Sequence, residues 1–343
     1  MKRLFREKIV MFSLVGAFLL GGCGNQSAEN SDVDQANETI EDSVAFPEEL
    51  YKDVTTIEEA LADPMVPLAG APGGATFHKA EASGTVVYTG NKDVSMDASN
   101  AAKGYVMVKC AGSTSKLKVI VTGPSGVKYT YNLNHNGNYE TFPLSDGNGK
   151  YTVGVYENIS GTKYSVLFTQ EINVTLENEF VPFLCSNQYV NFTPNSQVVA
   201  KAKELTAGTT DDLKKVQSIY DYVIKNITYD KQKAATVQSG YLPNVDSILQ
   251  TKKGICFDYA AVMASMLRSQ NIPTKLVVGY TGSVYHAWIS TYTEETGWVE
   301  GIIFFDGVSW KLMDPTFASS ANSSEKIMEY IGNGSNYQEK YLY

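Results

Sequence analysis

The hydrophobic period of the chain changes once, near residue 180, and this change restricts the possible folds more than any other feature. From about 80 to 179, apolar and polar residues alternate in short runs separated by turns rich in Gly, Asn, Asp and Pro. Such runs predict antiparallel strands packed as a β-sandwich. The predicted strands are Thr85–Tyr88, Tyr105–Cys110, Lys116–Thr122, Lys128–Leu133, Tyr151–Tyr156, Lys163–Phe168 and Glu171–Leu176.

Helical spacing replaces the alternation after this point. Thr209 and Asp212 are typical of a helix start, and apolar residues then recur at three- and four-residue steps as far as Ile227. A second helix is predicted from Cys256 to Ser269. Helices followed by antiparallel strands predict an α+β domain over residues 180–343. Its strands are predicted at Lys275–Tyr280, His286–Thr293, Ile302–Phe305 and Trp310–Met313.

The first residues have the pattern of a targeting signal. A basic segment precedes an apolar run, Ile9–Leu20, that is too short to span a bilayer. The sequence Leu20-Gly21-Gly22-Cys23 resembles a bacterial lipobox, which implies cleavage before Cys23 and acylation of that residue. Residues 1–22 would then be a lipoprotein signal peptide, with the protein anchored to the extracytoplasmic face of the cell membrane through its lipid alone. The alternative is an ordinary secretory signal in which Cys23 is incidental.

Residues 23–50 are predicted to form a disordered tether, because they are rich in Asn, Ser, Asp and Glu and contain no Lys or Arg. Residues 51–79 are interpreted as a connector, with a short helix at Thr55–Ala62. The full chain has 28 Lys and Arg against 37 Asp and Glu, and four of the bases but one of the acids precede Cys23. The mature protein is therefore acidic, which argues against nucleic acid or an anionic membrane surface as its partner.

Three short segments contain residues suited to nucleophilic catalysis. Cys256 follows Gly254 at a predicted helix start, where unpaired N–H groups favour a thiolate and can donate to an oxyanion. Gly254 would leave room there for a substrate. His286 could hold the thiolate as an ion pair and then protonate the leaving group, and Asp314 could orient the imidazole. Each residue also has an ordinary interpretation: Cys256 as a packed thiol, His286 as a core histidine and Asp314 as a turn residue.

Together, the three segments resemble the transglutaminase-like superfamily, thiol enzymes related to papain-type proteases. The resemblance covers about 209–317 and includes Gly254-Ile255-Cys256-Phe257-Asp258-Tyr259-Ala260, His286-Ala287-Trp288 and Asp314-Pro315-Thr316. It implies that Cys256 is the nucleophile, His286 the general base and acid, and Asp314 the orienting acid. Transglutaminases also supply an aromatic oxyanion donor upstream of the cysteine. Tyr229 and Tyr241 are both candidates for that role.

The resemblance implies attack on an amide carbonyl of a peptide, a protein or a cell-wall peptide, giving an acyl-thioester on Cys256. Water or an amine would resolve it, and hydrolysis is favoured over transamidation because the sequence contains no calcium-activation feature. The alternative is a non-catalytic cell-surface binding or adhesion module that retains the fold.

No cofactor and no metal are expected, since three scattered histidines and the lack of a paired Cys-x-x-Cys make a zinc site improbable. The β-sandwich, residues 80–179, is expected to contribute positioning or binding rather than catalysis. His135 is expected to be solvated in an Asn/Gly turn. Cys110 is expected to be a buried core thiol. The sequence leaves open whether Cys110 and Cys185 are bonded.

Overall fold

The computed structural model describes residues 38–39, 78–281, 284–294, 296–299, 303–305, 310–312 and 337–343. The described residues belong to one compact unit. The predicted signal peptide, the tether with Cys23 and the helix at Thr55–Ala62 all lie outside the described side chains. None of the described helices is both long and apolar enough to cross a lipid bilayer.

The first half of the described chain forms two antiparallel sheets, which confirms the predicted sandwich. The first sheet has the order β1-β9-β8-β5-β6 and the second the order β2-β3-β4-β7. Their inward-facing residues share one core. The strands are β1 Glu38–Thr39, β2 Val87–Thr89, β3 Ser95–Asp97, β4 Tyr105–Lys109, β5 Leu117–Thr122, β6 Lys128–Leu133, β7 Glu140–Pro143, β8 Gly149–Ser160 and β9 Lys163–Val174.

The sheets differ from the prediction in three places. Strand β1 lies within residues 23–50, the predicted disordered tether, and pairs with β9. The runs Lys163–Phe168 and Glu171–Leu176 form the single strand β9, because the residues between them continue the ladder with β8. Strands β3 and β7 are missing from the prediction. Both are short, and all three residues of β3 are buried, so no alternation marks it in the sequence.

Within the described residues, five α-helices follow: α1 Gln197–Leu205, α2 Asp212–Asn226, α3 Lys231–Thr236, α4 Val245–Thr251 and α5 Cys256–Ser269. Helix α2 is capped by Asp211, whose carboxylate accepts the N–H of Lys214 at 3.2 Å, rather than by Thr209 as its spacing suggested. All 14 residues of α5 are buried. A helix that is buried on every side forms the centre of its domain rather than one wall.

The second half also contains a four-stranded antiparallel sheet of order β14-β13-β12-β17. Helix α5 packs against the two central strands, β12 and β13, and α1 and α2 cover its other side. Two small pairs complete the described strands, β10 parallel to β11 and β15 antiparallel to β16. The bounds are β10 Thr228–Tyr229, β11 Lys253–Gly254, β12 Thr274–Thr281, β13 Val284–Thr293, β14 Gly297–Val299, β15 Ile303–Phe305, β16 Trp310–Leu312 and β17 Tyr337–Leu342. The predicted mixed fold with antiparallel sheets is confirmed.

Aromatic side chains join the two halves. Tyr131 of β6 lies 5.5 Å from Tyr189 and 5.7 Å from Tyr343, measured between ring centroids. Tyr189 in turn lies 5.7 Å from Phe257 of α5. The sandwich core and the core around α5 are therefore continuous.

Arg268 holds the far end of α5 in place. Its guanidinium is fully buried and donates to three carbonyl oxygens, those of Thr274 at 2.9 Å, Cys185 at 2.7 Å and Tyr343 at 2.6 Å. Burial lowers the pKa of Arg268 to about 9. The three acceptors come from separate segments. Arg268 therefore links α5 to the start of β12, to the segment around Cys185 and to the residue that follows β17.

The cysteines of the described part of the chain are unbonded. Cys110, Cys185 and Cys256 are all free and buried. Cys110 is a core thiol, as expected, and donates to the carbonyl of Lys92 at 3.2 Å. Burial raises the pKa of the Cys110 thiol, and it raises that of Cys185 to about 11. Both are therefore neutral thiols at physiological pH.

Candidate active site

Cys256 is the first residue of α5, as predicted from the sequence. Ile255 precedes it in an extended conformation and caps the helix, and only 2 % of Cys256 is exposed. Cys256 therefore belongs to the first helical turn, where backbone N–H groups lack intrahelical partners and the helix dipole favours negative charge. Cys256 thus has the helix-start position that favours an activated thiol, although the residue is almost fully buried.

His286 lies near the start of β13, opposite Gly279 of β12. The residue is 1 % exposed, and its ring stacks on Trp288 with 6.1 Å between centroids and 24° between planes. A side chain at Gly279 would overlap the backbone of Gln338 and the ring of Trp288. Gly279 is thus required for the close packing beside His286.

Tyr285 connects β13 with the start of α5. Burial raises the pKa of Tyr285, and proximity to Tyr341, Tyr189, Tyr280 and Cys256 raises it further. Tyr285 precedes His286 and so extends from the opposite face of β13. Strand β13 therefore reaches the neighbourhood of Cys256 through the face that carries Tyr285, whereas His286 lies on its other face.

The acid of the proposed triad, Asp314, lies outside the described residues. Cys256 and His286 lie on two elements that pack against each other, α5 and β13. The catalytic assignment of Cys256, His286 and Asp314 stays a prediction from the sequence.

A buried polar cluster fixes the first turn of α5. Asp258 is fully buried, and its carboxylate accepts from Lys233 Nζ at 2.5 Å, from the hydroxyl of Tyr241 at 2.7 Å and from the N–H of Ile255 at 2.9 Å. Lys233 Nζ also lies 4.3 Å from the centre of the Tyr241 ring. The bond to Ile255 is one half of a capping box. This cluster determines where the turn that carries Cys256 can lie.

Gly254 has a structural role that differs from the one expected. A Cβ at this position would lie 2.6 Å from Cβ of Asp258, too close for two carbon atoms. Gly254 therefore permits Asp258 to fold back over the helix start, and this packing accounts for the glycine without a substrate.

The two candidate oxyanion donors are in different positions. The hydroxyl of Tyr241 is bonded to Asp258 and also accepts from Lys233 Nζ at 2.6 Å. Tyr229 lies in β10, where it is paired with Gly254 of β11, two residues before Cys256. Tyr229 is therefore adjacent in the backbone ladder to the strand that leads into the nucleophile.

Some of these residues were predictable from the sequence, but their arrangement was not. An acid at the third position of a predicted helix is a recognisable capping signal, so Asp258 could have been assigned that role from the sequence. Lys233 lies 25 residues before Asp258 and nothing in its local pattern indicates the pairing. Among the described residues, no group of three His, Cys, Asp or Glu side chains is arranged to hold a metal ion.

The comparisons with known proteins agree with the sequence resemblance. Residues 199–301 match the model of the transglutaminase-like superfamily. The chain is 29 % identical over 202 residues to the uncharacterized protein YebA of Bacillus subtilis, covering 50 % of this chain and 26 % of YebA. It is 28 % identical over 98 residues to a protein-glutamine gamma-glutamyltransferase of Pseudomonas aeruginosa, covering 24 % of this chain and 13 % of that protein. The chain thus spans about a quarter or less of these relatives.

Solved structures of similar proteins include a candidate cysteine protease from Cytophaga hutchinsonii and red sea bream transglutaminase. The first has a TM-score of 0.35 and 14 % identity, and the match covers 67 % of this chain and 72 % of that one. The second has a TM-score of 0.27 and 13 % identity, with 64 % and 54 % covered. The family match thus confirms, over residues 199–301, the predicted resemblance to the transglutaminase-like superfamily.

Proposed function

We propose that the protein is a thiol enzyme that attacks amide bonds of peptides or proteins through Cys256. The observation that carries the proposal is the position of Cys256 as the first residue of α5, in a turn held by Asp258, within a transglutaminase-like domain. A nucleophile needs a fixed position relative to its substrate, and the buried cluster around Asp258 supplies that fixed support.

The chemistry follows from the residues. The Cys256 thiolate attacks the amide carbonyl carbon, and the carbonyl oxygen takes the negative charge. As the tetrahedral intermediate collapses, the C–N bond breaks and His286 gives its proton to the departing amine or ammonia. An acyl-thioester remains on Cys256. Water, deprotonated by His286, then releases a carboxylic acid and restores the thiol.

The oxyanion in this sequence would be stabilised by the first N–H groups of α5 and by a tyrosine hydroxyl. Tyr229 and Tyr241 are the two candidates for that hydroxyl, and the hydroxyl of Tyr241 donates to Asp258. The pairing of Tyr229 with Gly254 brings its strand beside the residues that lead to Cys256.

Hydrolysis is the preferred outcome over transamidation, since the sequence offers no calcium-activation feature or separate amine site. A peptide, protein or cell-wall peptide outside the cytoplasm is the proposed substrate. Attachment to the membrane through a lipid on Cys23 would place the enzyme at the cell surface, consistent with the lipobox-like sequence at Leu20–Cys23.

A second function, a non-catalytic binding or adhesion module, is favoured by one observation. Cys256 is only 2 % exposed, and it belongs to the same hydrophobic core as the rest of α5. A thiol that is packed in this way and never reached by substrate would have a purely structural role. The two functions differ in the chemical reactivity of Cys256.

Replacement of His286 by Ala should slow the alkylation of Cys256 by iodoacetamide about tenfold near pH 6, and less above pH 9, because the imidazolium stabilises the thiolate only while it is protonated. Mass spectrometry of each cysteine peptide measures the rates, with Cys110 and Cys185 as slow internal references. His135 lies exposed in its turn, so His135→Ala is the matched control. Equal rates for all three cysteines in the wild-type protein would favour the non-catalytic module.

Mature protein extracted from membranes should carry a lipid on Cys23. Intact-mass and peptide spectrometry should show an N-terminus at Cys23 with added acyl mass, and Cys23→Ser should release the protein from the membrane fraction. An unmodified Cys23 peptide from the wild-type protein would contradict the lipoprotein assignment and favour the ordinary secretory signal.

A further inference from the structure

A cavity of about 790 Å³ opens where the sandwich meets two loops of the thiol domain. Its walls come from the ends of β6 and β7, from residues 186–188 and 191–194, and from Leu242 and Pro243. The volume lies in the range of ligand-binding clefts, roughly 300–1,000 Å³. Neither the sequence motifs nor the proposed chemistry assigns a role to this cavity.

The cavity is lined by apolar side chains together with several uncharged polar ones. Five of its side chains are primary amides, each able to donate and to accept hydrogen bonds: Asn132, Asn134, Asn187, Gln188 and Asn191. Its charged side chains, Lys79 and Glu140, have opposite signs. Burial raises the pKa of Glu140, which accepts the N–H of Asn134 at 2.6 Å. A lining of this kind favours a ligand rich in neutral amides over an anion or a cation.

Gln188 already makes amide contacts at one wall. Its side-chain oxygen accepts the N–H of Asn132 at 2.9 Å, and its side-chain nitrogen donates to the carbonyl of Asn132 at 3.0 Å. Strand β6 is at the edge of its sheet as described, so Gln188 satisfies backbone groups that a further strand would otherwise pair. The backbone of Asn132 therefore both donates a hydrogen bond to a side-chain amide and accepts one from it.

Asn187 has a hydrogen-bond donor that the described residues leave unsatisfied. The residue is 5 % exposed, and its Oδ1 accepts the N–H groups of Tyr189 and Val190, both at 2.9 Å. Its Nδ2 is buried and has no hydrogen-bond partner within the described part of the chain. An unsatisfied buried donor costs free energy, so a carbonyl oxygen brought to the cavity wall would be held there.

Strand β7 supplies a second wall with strand character. Glu140, Thr141 and Phe142 line the cavity, and β7 is the last strand of its sheet as described. An edge strand is the surface to which an extended peptide adds by backbone hydrogen bonds. A neutral, amide-rich chain in an extended conformation fits both this edge and the side-chain lining.

Residues next to the cavity lining contact the helix that begins at Cys256. Tyr241, which precedes the lining residue Leu242, lies 6.4 Å from the ring of Phe257. Tyr189, which follows the lining residues Asn187 and Gln188, lies 5.7 Å from that ring. Two aromatic residues therefore separate the cavity from the residue next to the nucleophile.

We propose that this cavity binds an extended segment of a peptide substrate through its main-chain amides, outside the bond that Cys256 attacks. The peptide class of the ligand rests on the proposed function, whereas the binding itself does not need an active thiol. The sandwich would thereby contribute substrate affinity rather than chemistry.

The test uses the full chain with Cys256→Ala, immobilised and exposed to a tryptic digest of serum albumin. Retained peptides are counted by mass spectrometry. Asn191 is an exposed lining residue, so Asn191→Trp should block the cavity and reduce retention roughly tenfold. Asn195→Trp, an exposed neighbour that does not line the cavity, is the matched control and should retain peptides normally.

Asn187→Asp is the second variant, because it keeps the oxygen that accepts from Tyr189 and Val190 while it removes the Nδ2 donor. Retention should fall several-fold while thermal unfolding stays cooperative. If Asn187→Asp fails to fold, the Asn191→Trp variant alone tests the proposal, because Asn191 is exposed.

Three results would overturn the proposal: no retention of peptides by the Cys256→Ala protein, equal retention by Asn191→Trp and Asn195→Trp, or retention of chitohexaose in place of peptides. In the enzyme with Cys256 intact, Asn191→Trp should raise KM and leave kcat unchanged. Retention without any turnover would contradict the proposed function and leave the binding site standing. Turnover by the Asn191→Trp enzyme with the wild-type KM would contradict the binding site alone.

Discussion

Replacement of Cys256 by Ala should reduce amide-bond turnover by at least about 10⁴-fold, because removal of a covalent nucleophile leaves only binding and oxyanion stabilisation. The measurement is the release of ammonia or new amino groups from a tryptic digest of casein. The reactive position is expected at Cys256 since burial keeps the other described thiols protonated, with the pKa of Cys185 raised to about 11.

Cys185→Ala is the matched control for this loss. Cys185 is also buried, and its contact with Arg268 is made through the backbone carbonyl, so the substitution keeps that bond. Its turnover should stay within about twofold of the wild-type value. Undiminished turnover by Cys256→Ala would show that another residue carries the reaction. Absence of turnover in the wild-type protein on every peptide digest would favour the binding module.

Replacement of Asp258 by Ala should lower the free energy of unfolding by about 3 kcal/mol, because it leaves Lys233 and Tyr241 without their shared acceptor. This loss of unfolding free energy lies in the lower part of the usual range for breaking a buried ion pair, because the Lys233 side chain is 26 % exposed. The same change frees the N–H of Ile255 and loosens the turn that carries Cys256. Urea denaturation measures the loss of stability.

Glu171→Ala is the control for Asp258→Ala, because it breaks a surface ion pair with Lys150 whose side chains are 58 % and 61 % exposed. Its cost should be within about 0.5 kcal/mol. The double variant Asp258→Ala with Lys233→Met should lose less than the sum of the two single losses, since the second change removes an unpaired charge. Additive losses would show that the buried pair is not coupled as described.

The positions that local rules control were predictable from the sequence. Cys256 begins α5 and Ser269 ends it, as the spacing of apolar residues and the following Asn271-Ile272-Pro273 predicted. The β-sandwich followed from alternation and turn residues in the same way. Short segments such as β3, α3 and α4 were not found, because three to seven residues are too few to show a hydrophobic period.

The sequence by itself determined the resemblance to the transglutaminase-like superfamily, the change from strands to helices near residue 180 and the position of Cys256 at the start of α5. Only the tertiary structure decided that Asp258 bonds to Lys233 and Tyr241, that Gly254 makes room for Asp258, and that the cysteines are unbonded. The physical reason is the range of the interactions. Helix starts and strand alternation depend on residues a few positions apart, whereas buried ion pairs, close backbone approaches and cavities depend on which distant segments the fold brings into contact.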